Sequence, residues 1–246
     1  MKPLRIAVIA GTSEATELIA AMPEAYLVTA FTATAYGKEI LQGQHCQVHV
    51  GRLDADGFRQ ALAEMDAVAD ASHPFAQEVT ATVRQVCREL QLPYFRLGRQ
   101  PVSYAYDKIV RVSSKETAAA YLAETSGNVL LTTGVNTLLY YEAAVPGLAP
   151  RCWARILDTP DSRKAAAGAA SHLIYAMPPF SQADTFALLQ QHYIAVLVTK
   201  DSGKRGGVAE KIAAAEQMQI PVVLIGAPEE KTASIPEILR AIERSF

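Results

Sequence analysis

The stretch Arg5–Ala21, RIAVIAGTSEATELIAA, decides the fold. Its first part, RIAVI, is an apolar β-branched run that predicts a buried strand, and Glu14–Ala21 has the pattern of an amphipathic helix. Between them lies the small-residue turn Gly11-Thr12-Ser13. Because N–H groups at a helix N-terminus are unpaired and the helix dipole favours negative charge there, this turn can hold a phosphate. One glycine is a weak dinucleotide fingerprint, so a turn that is merely capped by Thr12 or Ser13 is the alternative.

Length and composition restrict the class of protein. The 246 residues suffice for one large or two small domains, and half of them are hydrophobic, which indicates a globular protein with a substantial core. A net charge of −2 argues against a nucleic-acid binder. The sequence shows neither an apolar run near the roughly 20 residues of a membrane span nor a signal-peptide pattern. We therefore expect a cytoplasmic protein.

The three cysteines, Cys46, Cys87 and Cys152, lie far apart. They form no CxxC pair and no metal-ligand spacing. We expect reduced thiols and no bound metal.

Strand and helix patterns alternate along the rest of the chain with short connections, which is typical of doubly wound parallel sheets. A first alternation ends near residue 101. A turn-rich segment with Tyr104 and Tyr106 then leads into a second alternation. We therefore predict an α/β protein of two Rossmann-like domains, residues 1–101 and 102–246, with a cleft between them.

The second predicted strand, Tyr26–Ala33, ends in the turn Thr34–Lys38. An NAD-binding unit carries an acidic residue about 20 residues after its glycine turn to bind the ribose 2′-hydroxyl. This sequence has none there. It offers hydroxyls and a positive charge instead, which favours a 2′-phosphate and therefore NADPH, although a turn that contacts no cofactor is the alternative. The residues are Thr32, Thr34, Tyr36 and Lys38.

Polar residues follow the next two predicted strands. Arg52 comes after the third strand, and Ser72 and His73 come after the fourth. Because open parallel sheets bind ligands at the carboxyl ends of their strands, we expect these three residues at neighbouring strand ends beside the cofactor. His73 can donate a hydrogen bond or move a proton, and a purely structural role in the turn is the alternative.

The second half contains two further candidate turns. Thr133-Gly134 follows an apolar strand and precedes a helix, as in the opening stretch. The loop Thr199–Gly207, TKDSGKRGG, combines three glycines with Lys200, Lys204 and Arg205. The glycines let the backbone approach a ligand closely, so a binding loop is favoured over a solvated basic loop.

Other basic residues also lie at the ends of predicted strands, which is less typical of solvated surface. Arg96 and Arg99 form one such pair. Arg151 and Arg155 have alternate spacing in a predicted strand from residue 151 to 157, so both would point to one face.

Several segments spread along the chain form an ordered set. They are IAGTSEATELIA, GRLD from Gly51, DASHPFAQEV from Asp70, PYFRLGRQP from Pro93, LLTTGVNTL from Leu130, ARIL from Ala154, and TKDSGKRGGVAEKIAAAEQMQIPVVLI from Thr199. In this order and spacing they resemble the precorrin-6A reductases of cobalamin biosynthesis, including the cobalt-precorrin-6A reductases. The sequence departs from the family pattern at Ala10, Gly98 and Ala227.

The resemblance implies an enzyme that uses NADPH to reduce one double bond of precorrin-6A, or of its cobalt form, to give precorrin-6B or its cobalt form. A hydride reaches one ring carbon and a proton reaches its neighbour. The substrate would lie between two Rossmann-like domains, with its carboxylates bound by arginines and lysines. The implied partners are this polycarboxylate tetrapyrrole and neighbouring enzymes of the corrin pathway, without nucleic acid or membrane.

The resemblance also implies residue roles. The cofactor would be bound by Gly11, Thr12, Ser13, Thr32, Thr34, Tyr36, Lys38, Arg52, Ser72 and His73. The substrate would be bound by Arg99, Thr133, Gly134, Arg155, Lys200, Ser202, Gly203 and Lys204. Hydride transfer mostly requires positioning, and the proton would come from Lys200 or Asp201, with solvent water as the alternative.

Two other functions remain open from the residues alone. One is an NADP-dependent reductase of a smaller substrate, and the other is a non-enzymatic protein that senses NADPH. Basic clusters at several strand ends disfavour both, because a small substrate needs only one or two such anchors and a sensor needs none.

Overall fold

The computed structural model describes residues 2–99, 102–203, 207–228 and 230–246. The strands are β1 (Arg5–Ile9), β2 (Leu27–Thr32), β3 (Gln47–Val50), β4 (Ala67–Asp70), β5 (Tyr94–Arg96), β6 (Ile109–Val112), β7 (Asn128–Leu131), β8 (Cys152–Leu157), β9 (His172–Ala176), β10 (Ile194–Lys200) and β11 (Val222–Ile225). The helices are α1 (Ser13–Ala21), α2 (Ala35–Ile40), α3 (Ala55–Leu62), α4 (Gln77–Glu89), α5 (Lys115–Ala123), α6 (Val135–Ala144), α7 (Pro160–Ala165), α8 (Gln182–Gln191), α9 (Val208–Gln217) and α10 (Ile235–Ser245), with a 3₁₀ turn at Ala149–Arg151.

The chain divides into two compact units, Met1–Arg99 with Glu229–Phe246 and Gln100–Pro228. Each unit has one sheet, with strand order β3-β2-β1-β4-β5 in the first and β6-β11-β10-β7-β8-β9 in the second. The strand pairs recorded within these sheets are parallel, and helices join successive strands. The predicted doubly wound α/β class is confirmed.

The first sheet is buried on both faces, as its continuous apolar strands require. Ile6 and Val8 of β1 belong to a core cluster that includes residues of α1 and α10. Ala7 and Ile9 alternate with them and belong to a second cluster with residues of α3 and α4. Strand β1 therefore lies at the centre of its unit, with helices on both sides.

The C-terminal segment belongs to the first unit, whereas the sequence placed it with the second. Ile238 and Ile242 of α10 are fully buried in the core of the first unit. Ala233 pairs with Leu97 beside β5, and the Gly98 N–H donates to the Ala233 carbonyl at 2.9 Å. The amphipathic pattern of this helix shows that one face is buried, but it does not show which sheet buries that face.

The second sheet also carries helices on both faces. Leu130, Leu197 and Leu224 lie in a core cluster with apolar residues of α8 and α9. Tyr106, in the segment that leads into this unit, is buried in the same cluster and donates its hydroxyl to the Ile220 carbonyl at 2.9 Å. This segment is therefore packed against the second unit at Tyr106.

Two local expectations were wrong. The segment predicted as a turn at 34–38 is largely the short helix α2, because the Thr34 hydroxyl caps it by accepting from Gly37 N at 3.1 Å. Strand β8 begins at Cys152 and leaves Arg151 in the 3₁₀ turn. The Arg151 guanidinium there donates to the Gly127 and Leu122 carbonyls. Arg151 and Arg155 therefore do not point to one face of a strand.

No helix within the described ranges is long and apolar enough to cross a membrane. Cys87 and Cys152 are buried free thiols, and Cys46 is half-buried. Burial raises the pKa of the Cys152 thiol to about 11, so it is protonated at neutral pH.

Candidate active-site residues

The first unit changes the direction of its strand order between β1 and β4, and ligands of such sheets bind at the carboxyl ends of those strands. Gly11 follows β1 with a φ of +110°, a conformation that a residue with a side chain rarely adopts. Thr12 caps α1 by accepting from Ala15 N at 3.2 Å and donates its hydroxyl to the Ala71 carbonyl at 2.8 Å. One side chain therefore joins the two turns. An exposed glycine before a capped helix N-terminus fits a nucleotide pyrophosphate.

Asp70, the last residue of β4, is fully buried. Its carboxylate accepts from Ser72 N at 2.9 Å, from Thr80 Oγ1 at 2.9 Å, from Tyr94 Oη at 2.8 Å and from Arg96 Nη1 at 2.9 Å. These donors stabilise the ionised carboxylate. Burial and the nearby Asp70 charge both raise the pKa of Tyr94, which keeps that phenol protonated as a donor.

Arg96 connects this carboxylate to the turn after β4. Its guanidinium is 3% exposed and also donates to the Ser72 carbonyl at 3.0 Å and to the His73 carbonyl at 3.4 Å. Arg96 Nε lies 3.1 Å from Glu230 Oε2 in the C-terminal segment. The sequence grouped Arg96 with basic residues at strand ends that are less typical of solvated surface, and the structure places it at the centre of a buried ionic network. This network holds the backbone of the turn that carries Ser72 and His73.

The two predicted cofactor residues in this turn have different surroundings. Ser72 is buried, and its hydroxyl lies 3.3 Å from Thr80 Oγ1. His73 is half-buried, and its Nδ1 accepts from Phe75 N at 3.3 Å. With Nδ1 assigned as an acceptor, the proton of the neutral ring is assigned to Nε2.

The residues expected at the 2′-phosphate lie at the end of β2 and in α2. Thr32 is buried, Thr34 caps α2, Tyr36 is half-buried and Lys38 is exposed. A Cβ at Gly37 would collide with the Thr32 hydroxyl, so only glycine lets α2 approach the end of β2 this closely. The four side chains therefore belong to one strand-to-helix connection.

Arg52 is placed differently from the expectation, and Arg99 has a partner that the sequence did not indicate. Arg52 is exposed and follows β3, which β2 and β1 separate from β4. It therefore does not lie at a strand end neighbouring Ser72 and His73, because the crossover places β3 at the sheet edge. Arg99 belongs to the first unit, and its Nη2 lies 2.9 Å from the carboxylate of Glu14 in the first turn of α1.

The second unit changes its strand order between β7 and β10, so its own crevice lies at the carboxyl ends of these strands. Thr133 follows β7 and is buried, with its hydroxyl 2.8 Å from Thr137 Oγ1. Gly134 is exposed, has a φ of +86° and precedes α6. These residues and the segment after β10 occupy adjacent strand ends.

Lys200 ends β10 and is half-buried. Burial lowers the pKa of its ammonium group, and the positive charge of Lys115 lowers it further. Ser202 and Gly203 follow, both buried, and Gly203 has a φ of +75°. Lys204, also predicted to bind substrate, lies outside the described residues, as does Arg205.

Asp201 is held by residues near the start of the second unit. The Tyr104 hydroxyl donates to Asp201 Oδ1 at 3.5 Å, and Arg111 Nη1 lies 3.8 Å from Asp201 Oδ2. Burial and the Asp201 charge raise the pKa of Tyr104 to about 12. The Asp201 carboxylate therefore acts as an acceptor for Tyr104 and faces the Arg111 charge.

Arg155 lies within β8 and is 5% exposed. Its Nη1 donates to Thr185 Oγ1 at 3.3 Å, and its guanidinium lies 4.0 Å from the centroid of the Phe180 ring. Burial lowers its pKa to about 10. Lys211 of α9 is also buried, and sequence reasoning missed it. The signal was present, because Lys211 shares a helix face with Val208, Ile212 and Ala215, all of which are buried.

The folds and turns together define a class: two doubly wound parallel units, of which the first has the glycine turn of nucleotide-binding α/β proteins. Residues 5–243 match the family model described as precorrin-6x reductase CbiJ/CobK, and the chain belongs to this family. It is 34% identical over 231 residues to the cobalt-precorrin-6A reductase of Priestia megaterium, covering 91% of each chain. The corresponding protein of Methanothermobacter thermautotrophicus is 33% identical, with 92% of this chain and 77% of the relative covered.

A solved structure of a CobK precorrin-6A reductase has the same fold, with a TM-score of 0.78, 22% identity and coverage of 98% of this chain and 97% of that one. The resemblance stated from sequence motifs is therefore confirmed. The chain is an oxidoreductase of the precorrin-6A reductase family, which acts on a CH–CH group in cobalamin biosynthesis.

Proposed function

We propose that this enzyme reduces precorrin-6A, or its cobalt form, to precorrin-6B or the corresponding cobalt compound, with NADPH as the reductant. Family membership supports the reaction class. The observation that carries the proposal is that one chain combines two features. The first unit has a glycine turn before a capped helix, and the second unit has buried and half-buried cations. The first feature suits a dinucleotide, and the second suits a polycarboxylate.

The first unit is proposed to bind NADPH, which when bound supplies the hydride. Gly11, Thr12 and Ser13 would bind the pyrophosphate with backbone N–H groups and hydroxyls. Thr32, Thr34, Tyr36 and Lys38 would bind the 2′-phosphate, where the exposed Lys38 ammonium can reach an anion without desolvation. Ser72 and His73 would contact the ribose end, held by Asp70 and Arg96. Arg52, at the sheet edge, would contact the adenosine.

The second unit is proposed to bind the tetrapyrrole. Thr133 and Gly134 after β7, and Lys200, Ser202 and Gly203 after β10, lie at adjacent strand ends and would bind the ring substituents. Arg155 and Lys204 would bind carboxylates. Arg99, which is paired with Glu14, would bind a carboxylate by exchanging that partner.

Lys200 is the proposed proton donor. Its lowered pKa makes the ammonium group a stronger acid than an ordinary lysine, so it can protonate the ring carbon next to the one that accepts hydride. Asp201 faces Arg111 and Tyr104, and its proposed role is to orient the segment that carries Lys200.

The cytoplasmic location inferred from the sequence stays a prediction.

The test measures NADPH oxidation through the loss of NADPH absorbance. The enzyme is given precorrin-6A in one assay and cobalt-precorrin-6A in another. We expect oxidation that depends on the tetrapyrrole and yields a product two mass units heavier. NADPH binding without oxidation by either compound would contradict the reductase assignment and favour a sensor. Oxidation with a small unsaturated acid, but not with either tetrapyrrole, would favour a reductase of a smaller substrate.

A further inference from the structure

The second unit holds two buried cations whose charges interact. Arg155 is 5% exposed and Lys211 is 8% exposed. They come from different elements, β8 and α9, and the positive charge of Arg155 acts directly on the Lys211 ammonium. Two neighbouring buried cations are costly for a folded protein, since each loses hydration and each repels the other.

The guanidinium of Arg155 has a hydrogen-bonding edge that the protein does not use. Nη1 donates to Thr185 Oγ1, and the flat face of the group stacks on Phe180. Nη2 is buried and has no hydrogen-bond partner among the described residues. Leaving a charged donor buried and unpaired costs more than leaving a neutral one, so this edge is suited to an acceptor that is not part of the chain.

The ammonium of Lys211 lies at the start of α9. A Cβ added to Gly207, which precedes the helix, would lie 4.0 Å from Lys211 Nζ and 3.9 Å from Glu210 Oε2. The side chain therefore extends back to the loop that follows β10. A lysine in the first turn of a helix also faces the positive end of the helix dipole, which raises the positive potential there.

Two carboxylates act on these cations. Glu210 lies beside Lys211 and contributes one negative charge. Asp184 also acts on Arg155, but it is exposed, and one of its oxygens accepts from both the backbone N–H and the hydroxyl of Ser181. Neither carboxylate hydrogen-bonds to Arg155 Nη2, which has no hydrogen-bond partner among the described residues.

We propose that Arg155 and Lys211 form a carboxylate-binding site inside the second unit, with Phe180 as its apolar wall and Lys211 as a specificity-determining residue. A carboxylate, with its two acceptor oxygens in one plane, matches the guanidinium edge at Nη2, which has no partner among the described residues. Assigning this carboxylate to the tetrapyrrole rests on the proposed function. The alternative source of an oxyanion is a phosphate group of NADPH.

The test measures three quantities for the wild type, Lys211→Met and Lys211→Arg: the KM for precorrin-6A, the Kd for NADPH from its fluorescence, and the Kd for uroporphyrin. Uroporphyrin is a polycarboxylate tetrapyrrole that serves as a probe of binding without turnover. Its binding can be followed by fluorescence of Trp153, the only tryptophan, which lies two residues before Arg155 in β8. The matched control is Lys164→Met, an exposed lysine of α7 in the same unit.

We expect Lys211→Met to raise the KM and the uroporphyrin Kd by about tenfold, as loss of one charge-assisted hydrogen bond predicts. Lys211→Arg should recover most of the affinity, and Lys164→Met should leave both values unchanged. The NADPH Kd should be the same in all variants. Melting curves that match the wild type or exceed it would show that Lys211→Met is folded.

Unchanged tetrapyrrole affinity in Lys211→Met would overturn the proposed carboxylate site. A rise in the NADPH Kd alone would also overturn it, because the bound oxyanion would then be a phosphate group of NADPH. If Lys211→Met does not fold, the same measurements are made on Arg155→Lys. This variant keeps the positive charge but loses the planar guanidinium that can donate two hydrogen bonds to one carboxylate. A wild type that binds uroporphyrin in a Lys211-dependent way, yet never oxidises NADPH, would contradict the proposed function and leave the site standing.

Discussion

Arg96 Nη1 lies 2.9 Å from Asp70 Oδ1, and the same guanidinium donates to the carbonyls of Ser72 and His73. Removing one member of a buried pair leaves the other charge unpaired. We therefore expect Arg96→Met to lower the free energy of unfolding by about 3–5 kcal/mol, measured by urea denaturation. Arg59→Met is the control, because Arg59 forms ion pairs with Asp56 and Glu89 at the surface. A similar loss in both variants would mean that burial of the pair is not what matters.

Thr12 joins the turns after β1 and β4 through one hydroxyl. Thr12→Val keeps the shape of the side chain and removes both hydrogen bonds. We expect a loss of about 1 kcal/mol of stability from the missing helix cap and weaker NADPH binding, measured by fluorescence titration. Thr12→Ser keeps the hydroxyl and should retain the wild-type Kd. Equal binding by the valine and serine variants would remove Thr12 from the cofactor site.

Lys38 is exposed on α2, so its substitution should not disturb the fold. If it binds the 2′-phosphate, Lys38→Ala should raise the Kd for NADPH by about tenfold while leaving the Kd for NADH unchanged, since NADH lacks this group. Lys38→Arg should recover NADPH binding. Equal losses for the two cofactors would contradict this role.

Lys200 must be protonated to donate, so activity should fall as the pH rises through its pKa. Burial and Lys115 lower that pKa from the ordinary value of 10.5, so the decline should begin at a lower pH than for a free lysine. Lys200→Met should reduce kcat and leave the NADPH Kd unchanged. It should also abolish the decline of activity at high pH, the alkaline limb of the pH profile. Asp201→Asn should lower kcat but keep the limb. A limb that disappears in Asp201→Asn and persists in Lys200→Met would reverse the assignment.

Lys211 makes stability depend on pH. Burial, and secondly the Arg155 charge, lower its pKa to about 8 in the folded protein, below the value of 10.5 for an ordinary lysine. Between these values the unfolded chain binds more protons, so stability rises with pH. We expect the wild type to gain of order 2–3 kcal/mol relative to Lys211→Met between pH 7 and 10, from urea denaturation of both proteins. Taking the difference cancels the titration of other groups. A constant difference would show that Lys211 titrates normally.

The elements that proved predictable have local causes. Strand β1 and helix α1 follow from an apolar run and a threonine cap. The turn at Gly11 and the strand ends at Thr133 and Lys200 were found for the same reason, since strand and helix patterns on either side define them. Helix α2 was missed because Gly37 weakens its helical pattern.

The distribution of buried charge was not predictable from local pattern. Arg96 reads as one more basic residue at a strand end, yet its partners lie 26 residues before it and 134 residues after it. Lys211 is the exception, because it shares a helix face with Val208 and Ile212 and its burial could be read from that pattern. The choice between a solvated and a buried cation depends on contacts that form only when distant segments meet.

The C-terminal helix α10 completes the core that β1 began. The first unit therefore uses residues from both parts of the chain, whereas the second unit is one continuous segment between them. During synthesis on a ribosome, the whole of the second unit emerges before the last helix of the first. The fold thus fixes an order of assembly in which the unit proposed to bind the tetrapyrrole can be finished first, and the proposed cofactor unit closes only after α10 has emerged.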